Sequence, residues 1–211
     1  MARKMREIEF REKQWQHRYD EHIAPINGLV DDLYQDGLVP PYVAPLHGGI
    51  NARLLCVLRD PGPKTQENNG GSGFLCMEND DTTAENISKF SSDADIKSCD
   101  IVPWNAYPWY INRNPTTAQL EKGIEPLKCI IDLLPELRVV MLHGGSAHKA
   151  WKLLTRKYPQ IAMRELKVIE TYHTSPQAFR HKDQKVREAR REHLRQSFSD
   201  AANHLREVAN K

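Results

Sequence analysis

Short apolar runs alternate with amphipathic stretches along the chain, and this alternation predicts strands separated by helices. The strand candidates are residues 53–58 and the segments CDIVPWN, RVVMLHGG and LKVIETYHTSP. Residues 53–58 are too apolar to have a solvated face, which is typical of a parallel sheet covered on both sides. The pattern therefore predicts a three-layer α/β/α sandwich with a central four-stranded parallel sheet.

Helices are predicted between these strands, at residues 82–92, at 116–134 and along SAHKAWKLLTRKY. The last segment, residues 184–209, places apolar side chains on one helical face and is predicted to be a C-terminal amphipathic helix.

Residues 1–40 are interpreted as an N-terminal helical extension. Within it, residues 3–36 have mostly helical character, with an interruption near Pro25 and an end at Gly37. At 211 residues, the whole chain (1–211) fits one domain of the larger kind better than two.

The composition narrows the class of protein. The chain is 39% hydrophobic and 27% charged, and none of its apolar runs is long enough to span a membrane. The N-terminus mixes acids and bases without an apolar core, so a secretory signal is not predicted. We expect a cytoplasmic protein that has no membrane partner.

The net charge of +2 says little about partners, but the local distribution says more. Seven Lys and Arg residues lie between Arg180 and Arg195, against three acids. A solvated helix face explains such a run most simply. A surface that follows the phosphates of a polyanion is the alternative interpretation.

The cysteines do not form a metal-binding pattern. Cys56, Cys76, Cys99 and Cys129 lie far apart, and none of them forms a C-x-x-C pair. Neither a zinc ribbon nor an iron–sulfur cluster is predicted, and reduced thiols fit best.

Each predicted strand ends in polar residues. The first leads to Asp60, the second to Asn105, the third to Gly144-Gly145-Ser146, and the fourth to His173 and Ser175. Ligands of open parallel sheets bind beyond the carboxyl ends of the strands. We therefore expect these groups to converge on one crevice.

Taken singly, each of these residues has a plain structural explanation. An Asp before a proline commonly forms a turn, and a His at a strand end is more often a structural hydrogen-bonding group. Asn105 can close a turn, the glycines can serve packing, and Phe74 can be a core aromatic residue. Their convergence on one sheet edge favours a functional interpretation.

The order of these motifs resembles the uracil-DNA glycosylase superfamily. In one family of it the first motif reads GQDPYH, and LRDPGP stands in the matching place here. SGFLCMEND matches its Gly-x-x-Phe element, DIVPWNAYPWY its asparagine strand, VVMLHGGSAHKAW its phosphate loop, and HTSP its closing HPSP. The resemblance covers roughly residues 50–180 and is closest to a bacterial subgroup without an iron–sulfur cluster.

The resemblance implies cleavage of the N-glycosidic bond of deoxyuridine in DNA. Asp60 would orient water and stabilise the positive sugar, while His173 would hydrogen-bond O2 of the departing uracil. Asn105 would pair with N3–H and O4, and Phe74 would stack on the extruded base.

The resemblance also implies the remaining contacts and the partner. Arg59 and Gly62, on either side of Asp60-Pro61, are predicted to lie against the base. Phosphate contacts are predicted for Gly144, Gly145, Ser146, Ser175 and Arg180. Uracil-containing DNA is then the partner of a monomer that needs no metal and no cofactor.

Two departures from the family pattern bear on specificity. Where the GQDPYH family has a tyrosine that blocks the methyl group of thymine, this chain has Gly62. Thymine exclusion then comes from elsewhere, such as the loop 63–72, or is relaxed. Thr174 replaces a proline of the closing motif, and either Phe179 or Arg180 would fill the vacated base stack.

Two other functions remain open at this point. One is a relative of the same fold that binds damaged or single-stranded DNA without cleaving it. The other is an unrelated flavodoxin-like hydrolase of a small phosphorylated molecule, which Gly144-Gly145-Ser146 would suit.

Overall fold

The computed structural model describes residues 3–35 and 37–209. The remaining residues lie outside the described part of the chain. They are residues 1, 2 and 36 of the predicted N-terminal extension and residues 210 and 211 at the end of the predicted domain.

A parallel sheet forms the centre of the molecule. The strands are β1 (Tyr42–Val43), β2 (Leu54–Leu58), β3 (Phe74–Leu75), β4 (Ile101–Asn105), β5 (Val139–His143) and β6 (Lys167–Thr171). β4, β2, β5 and β6 pair in that order, and every pair is parallel. The predicted four-stranded parallel sheet is confirmed.

Helices cover both faces of this sheet. They are α1 (Ile8–Gln16), α2 (Ala24–Asp32), α3 (Thr82–Asp93), α4 (Thr117–Asp132), α5 (Gly145–Lys157), α6 (Pro159–Ala162) and α7 (Gln184–Ala209). In the part of the chain that the structure describes, no helix has the length and apolar character needed to cross a membrane.

The side chains of β2 show how the layers are held together. Leu55 and Val57 belong to the core that includes side chains of α2, α4 and α5. Leu54 and Cys56 belong to the opposite core, with side chains of α3 and α7. All four side chains are fully buried, as expected for the central strand of a sheet covered on both faces. The three-layer α/β/α sandwich is therefore confirmed.

The register of the sheet aligns the strand ends. Leu58 of β2 pairs with Asn105 of β4, and Val57 pairs with Leu142 of β5. The next residue of β5, His143, pairs with Thr171 of β6. The carboxyl ends of all four strands therefore lie in one row.

The N-terminal helices differ in detail from the prediction. The break falls between α1 and α2, and Pro25 lies inside the first turn of α2. This is the place in a helix where a missing N–H costs nothing. α2 ends at Asp32, several residues before Gly37.

A second, two-stranded parallel sheet, formed by β1 and β3, was not predicted. Its strands contain two residues each, which is too short for a readable alternation of polar and apolar positions.

The close approach of α4 to the loop after β4 gives a test of the fold. A Cβ atom at Gly123 would lie 2.0 Å from the carbonyl oxygen of Ala106, the residue after Asn105. We expect Gly123→Ala to lower the free energy of unfolding by about 1–3 kcal/mol, because backbone must move to admit the methyl group. Urea denaturation measures this change.

Gly28 in α2 provides the matched control, since an added Cβ there would meet nothing within 4 Å. Gly28→Ala is expected to be neutral or to stabilise by up to about 1 kcal/mol, because alanine favours helix. Equal effects of the two substitutions would contradict the proposed packing.

Candidate active site

A cleft of about 990 Å³ lies at the carboxyl ends of the strands. Its lining includes most of the residues that the sequence singled out: Arg59, Asp60, Gly62, Asn105, Gly144, Gly145, Ser146, His173 and Ser175. The structure thus brings the polar groups of four separate strand ends to one cavity, as the sequence predicted.

Asp60 occupies a rigid corner just beyond β2. Backbone hydrogen bonds between β2 and β4 continue beyond the ends of these strands. The N–H of Ala106 donates to the carbonyl of Leu58, and the N–H of Tyr107 donates to the carbonyl of Arg59. The Asp60 side chain is only 1% exposed. One carboxylate oxygen accepts from Arg59 Nε and the other from the backbone N–H of Asn112, at 2.9 Å. Asp60 is therefore held in one orientation by an ion pair and a backbone donor.

His173 is fixed in one protonation and tautomeric state. The backbone N–H of Ser175 donates to its Nδ1 at 3.0 Å. Burial, and secondarily the positive charge of Arg59, lower the pKa of His173 to about 4. The ring is therefore neutral at pH 7, and because Nδ1 accepts, its proton is on Nε2. His173 presents an N–H donor without a positive charge.

Gly144 allows this histidine to approach closely. Its φ angle is +87°, a conformation that side chains disfavour, and an added Cβ would lie 3.2 Å from His173 Cβ. The glycine loop after β5 therefore has a packing function in addition to any binding function.

Asn86 of α3 holds the same segment from the other side. Its amide Nδ2 donates to the carbonyl of Thr174 at 2.7 Å, which anchors the chain between His173 and Ser175. Sequence reasoning missed this residue, because an asparagine in a helix gives no sign of a partner 88 residues away.

Asn105, at the end of β4, is 3% exposed and lies in the cavity wall. Its side-chain oxygen has no hydrogen-bond partner among the described residues. Buried polar atoms are usually paired, so this oxygen is a candidate for recognising a bound molecule.

The glycine loop leads directly into the first turn of α5. Gly145 is the first residue of α5, and Ser146 and Lys149 of the same helix also line the cavity. The unpaired N–H groups of a helix start favour an anion. Lys149 adds a cation that the sequence analysis did not single out, and its Nζ donates to Thr117 at 2.6 Å.

Gly62 has open space around it. An added Cβ would meet nothing within 4 Å, and the backbone φ of −81° suits any residue. A larger side chain can therefore be placed at this point of the cavity wall without strain.

The prediction that Phe74 stacks on a base is not supported by its position. Phe74 is fully buried outside the cavity lining, with its ring 4.7 Å from that of Trp15. Successive strand residues point to opposite sides, and here the next residue, Leu75, lines the cavity. Met77 also lines it.

The two candidates for filling a vacated base stack differ in their exposure. Phe179 is 8% exposed and packs in the core shared by α3 and α7, so it is not available as a wedge. Arg180 is exposed but does not line the cavity.

Part of the basic segment between Arg180 and Arg195 has a structural function. Arg190 donates to the carbonyl of Ala178 at 2.7 Å, and its guanidinium lies 5.5 Å from the centre of the Tyr172 ring. Lys182 and Lys185 are exposed, as is Arg180. The segment thus combines braces for the chain after His173 with exposed cations.

A scan against models of protein families and a search of curated proteins found no match for this chain. The family resemblance therefore stays a prediction. Within residues 3–35 and 37–209, no group of three or more His, Cys, Asp or Glu side chains could hold a metal ion.

Buried neutral histidines make the stability of the fold depend on pH. Burial lowers the pKa of His47 to about 4 and that of His143 to about 3, as it lowers that of His173. An unfolded histidine titrates near pH 6.5, so below that pH the unfolded chain binds more protons. We expect stability to fall from about pH 6.5 towards pH 4, by about 1.4 kcal/mol per pH unit for each histidine.

Urea denaturation at pH 7.5, 6 and 5 measures this dependence. His143→Phe removes one of the three groups and is expected to lower the slope by about a third. Stability that does not change between pH 7.5 and 5 would contradict the assignment of neutral buried rings.

Proposed function

We propose that this protein is a DNA glycosylase that releases uracil from DNA and so starts base-excision repair. The observation that carries the proposal is the neutral His173 with its Nε2–H donor, in the same cavity as Asp60 and the unpaired amide oxygen of Asn105. A donor, a carboxylate and an amide suit the three tasks of stabilising the leaving base, stabilising the sugar and recognising uracil.

The chemistry breaks the bond between C1′ of the sugar and N1 of uracil. The electron pair of that bond moves onto the base, where O2 carries much of the negative charge. His173 stabilises this charge by donating from Nε2, and as a neutral ring it keeps its proton. Water adds its oxygen to C1′ and releases a proton, which the Asp60 carboxylate can accept.

The two electrostatic tasks are separated in space by the strand order. Asp60 follows β2, where its negative charge stabilises the positively charged sugar, and His173 follows the edge strand β6. The Arg59 ion pair fixes the carboxylate in place. Arg59 also disfavours protonation of His173, which supports a neutral donor.

Recognition of the base is assigned to Asn105. Its oxygen can accept from N3–H of uracil while its NH₂ donates to O4. Cytosine presents the opposite pattern at these two positions and would leave both groups unpaired. The unpaired buried oxygen of Asn105 supports this function.

The DNA strand is proposed to cross the mouth of the cavity with the target nucleotide extruded from the helix, because the scissile bond is inaccessible in the stack. Gly145, Ser146 and Ser175 would contact the flanking phosphates. Exposed cations such as Arg180 and Lys182 would add affinity that does not depend on sequence. We propose that the protein acts as a cytoplasmic monomer, without a metal or cofactor.

A relative that binds DNA without cleaving it is the second candidate. Both oxygens of Asp60 already have partners, as a purely structural carboxylate would. Catalysis requires the carboxylate to exchange at least one of them for water or for the sugar. Measurement of base release separates the two functions.

The first test is release of uracil from an oligonucleotide in the presence of EDTA. We expect the wild-type protein to be active and Asp60→Asn to be at least about 100-fold slower, because the amide has no negative charge to stabilise the sugar. Asp132→Asn, at the exposed end of α4, is the matched control and should retain full rate. Full activity of Asp60→Asn would refute the mechanism, and tight DNA binding without base release would favour the second candidate.

The second test concerns the open space at Gly62. We expect Gly62→Tyr to lower the rate of thymine release from G·T pairs, relative to uracil release from G·U pairs, by about 10-fold or more. A tyrosine ring there would occupy the place of the methyl group, whereas Gly62→Ala should have little effect. An unchanged ratio in Gly62→Tyr would show that selectivity against thymine arises elsewhere.

A further inference from the structure

His143 is a buried polar residue of the cavity that the proposed mechanism does not use. It is the last residue of β5, is fully buried, and lies in the cavity wall. Its sequence context, the apolar run VVMLH, gives no sign of a function.

The register of the sheet places His143 opposite Asn105. Val57 pairs with Leu142, so His143 lies beside Leu58, whose other neighbour is Asn105. Paired residues of a parallel sheet project to the same face, and strands lie about 4.8 Å apart. Asn105 and His143 therefore stand about 10 Å apart on one face, across Leu58. That distance is comparable with the width of a pyrimidine ring plus the length of one hydrogen bond on each side.

Both ring nitrogens of His143 are buried, and neither has a partner at hydrogen-bond distance among the described residues, although the Tyr172 backbone lies close enough to act on the pKa of the ring. The Phe198 ring of α7 lies against it, with the ring centres 5.9 Å apart. The protein therefore packs one side of the imidazole on an aromatic residue and brings the Tyr172 backbone near the ring without a well-formed hydrogen bond. Buried imidazole nitrogens in a cavity wall are expected to find a partner in the bound molecule.

His143 and His173 share one corner of the cavity. Gly144, the residue after His143, lies so near His173 that a Cβ atom added to it would be 3.2 Å from the Cβ atom of His173. The pKa of His143 is lowered to about 3, mainly by burial and then by His173, while the Tyr172 backbone acts in the opposite direction. Both rings are therefore neutral at pH 7 and can each donate one N–H.

We propose that His143 is a further catalytic residue, which donates a second hydrogen bond to O2 of the departing uracil beside His173. This inference rests on the proposed function. A carbonyl oxygen has two lone pairs, so O2 can accept from both rings. As the bond between C1′ and N1 breaks, its electron pair spreads onto O2. Both rings keep their protons, and the uracil anion takes its proton from solvent after release.

The placement explains why the second donor is on β5. Asn105 on β4 would hold N3–H and O4 at one side of the base, and His143 on β5 would then face the side that carries O2. His173, just beyond β6, is next in the row. The three side chains would together contact every polar atom of the uracil edge.

The test compares two leaving groups. Oligonucleotides that contain uracil or 5-fluorouracil are cleaved under single-turnover conditions by the wild type, His143→Phe and His143→Gln. We expect His143→Phe to slow uracil release by about 10-fold or more. Its effect on 5-fluorouracil should be clearly smaller, because the more acidic base leaves as a more stable anion. His143→Gln retains an N–H donor and should recover part of the rate.

Phe198→Leu is the matched control, since it loosens the packing under the His143 ring without removing a donor. It should slow both substrates equally if it slows them at all. His143→Phe should unfold at the same or a higher urea concentration than the wild type, because it removes unpaired buried polar atoms. An equal loss on both substrates in His143→Phe would overturn the proposal and indicate a packing function.

A measurement without catalysis separates this inference from the proposed function. NMR of the histidine ring nitrogens, with His143→Phe used for assignment, is recorded as free uracil is added. Shifts of the His143 resonances with a saturable dependence on uracil would support the contact, even if the wild type cleaved no DNA. Shifts of His173 alone would overturn the role of His143. Absence of uracil release by the wild type would instead count against the proposed function.

Discussion

The position of β2 between β4 and β5 is the constraint on which the site depends. β2 is buried on both faces, and its parallel pairing on either side fixes the heights of its neighbours. Because of this register, Asp60 lies just beyond the end of β2, between Asn105 at the end of β4 and His143 at the end of β5. A shift of one residue in either pair would turn the aligned side chain to the opposite face of the sheet. Hydrophobic burial in the strands thus sets where these residues lie, and polar contacts such as those of Asp60 and His173 then fix the orientations of their side chains.

Burial also sets the charges at this edge. The imidazoles near the cavity stay neutral because removal from water penalises the imidazolium form, and Arg59 adds repulsion at His173. Arg59 is in turn paired with the Asp60 carboxylate, so the cation and the anion partly cancel. In the proposed function, the cavity would offer neutral donors where negative charge develops and an oriented carboxylate for the positive sugar. One sheet edge can support both halves of a bond cleavage in this way.

The sequence predicted the sheet and most of the polar residues that line the cavity, because apolar strands followed by polar residues are local signals. Asp60, Asn105 and His173 were found for this reason. Phe74 was expected to stack on the base but lies outside the cavity lining, because the direction in which the two-residue strand β3 faces is set by its pairing with β1. Asn86 was missed since its contact with Thr174 is distant in sequence. His143, to which we assign a role only by proposal, was not singled out because a histidine at the end of an apolar run has the pattern of a core residue.

The polar groups of the cavity fall into two sets. Asp60 and the Nδ1 atom of His173 have protein partners, so their orientations are fixed before a ligand enters. The oxygen of Asn105 and both nitrogens of His143 have none among the described residues. Unpaired buried atoms lower the stability of a fold, by about 1–3 kcal/mol each, and in a cavity wall a bound molecule can supply the missing partner. The groups that have protein partners would then hold the reacting atoms in place. The groups without partners would favour binding of a base only when the edge of that base supplies the missing hydrogen bonds.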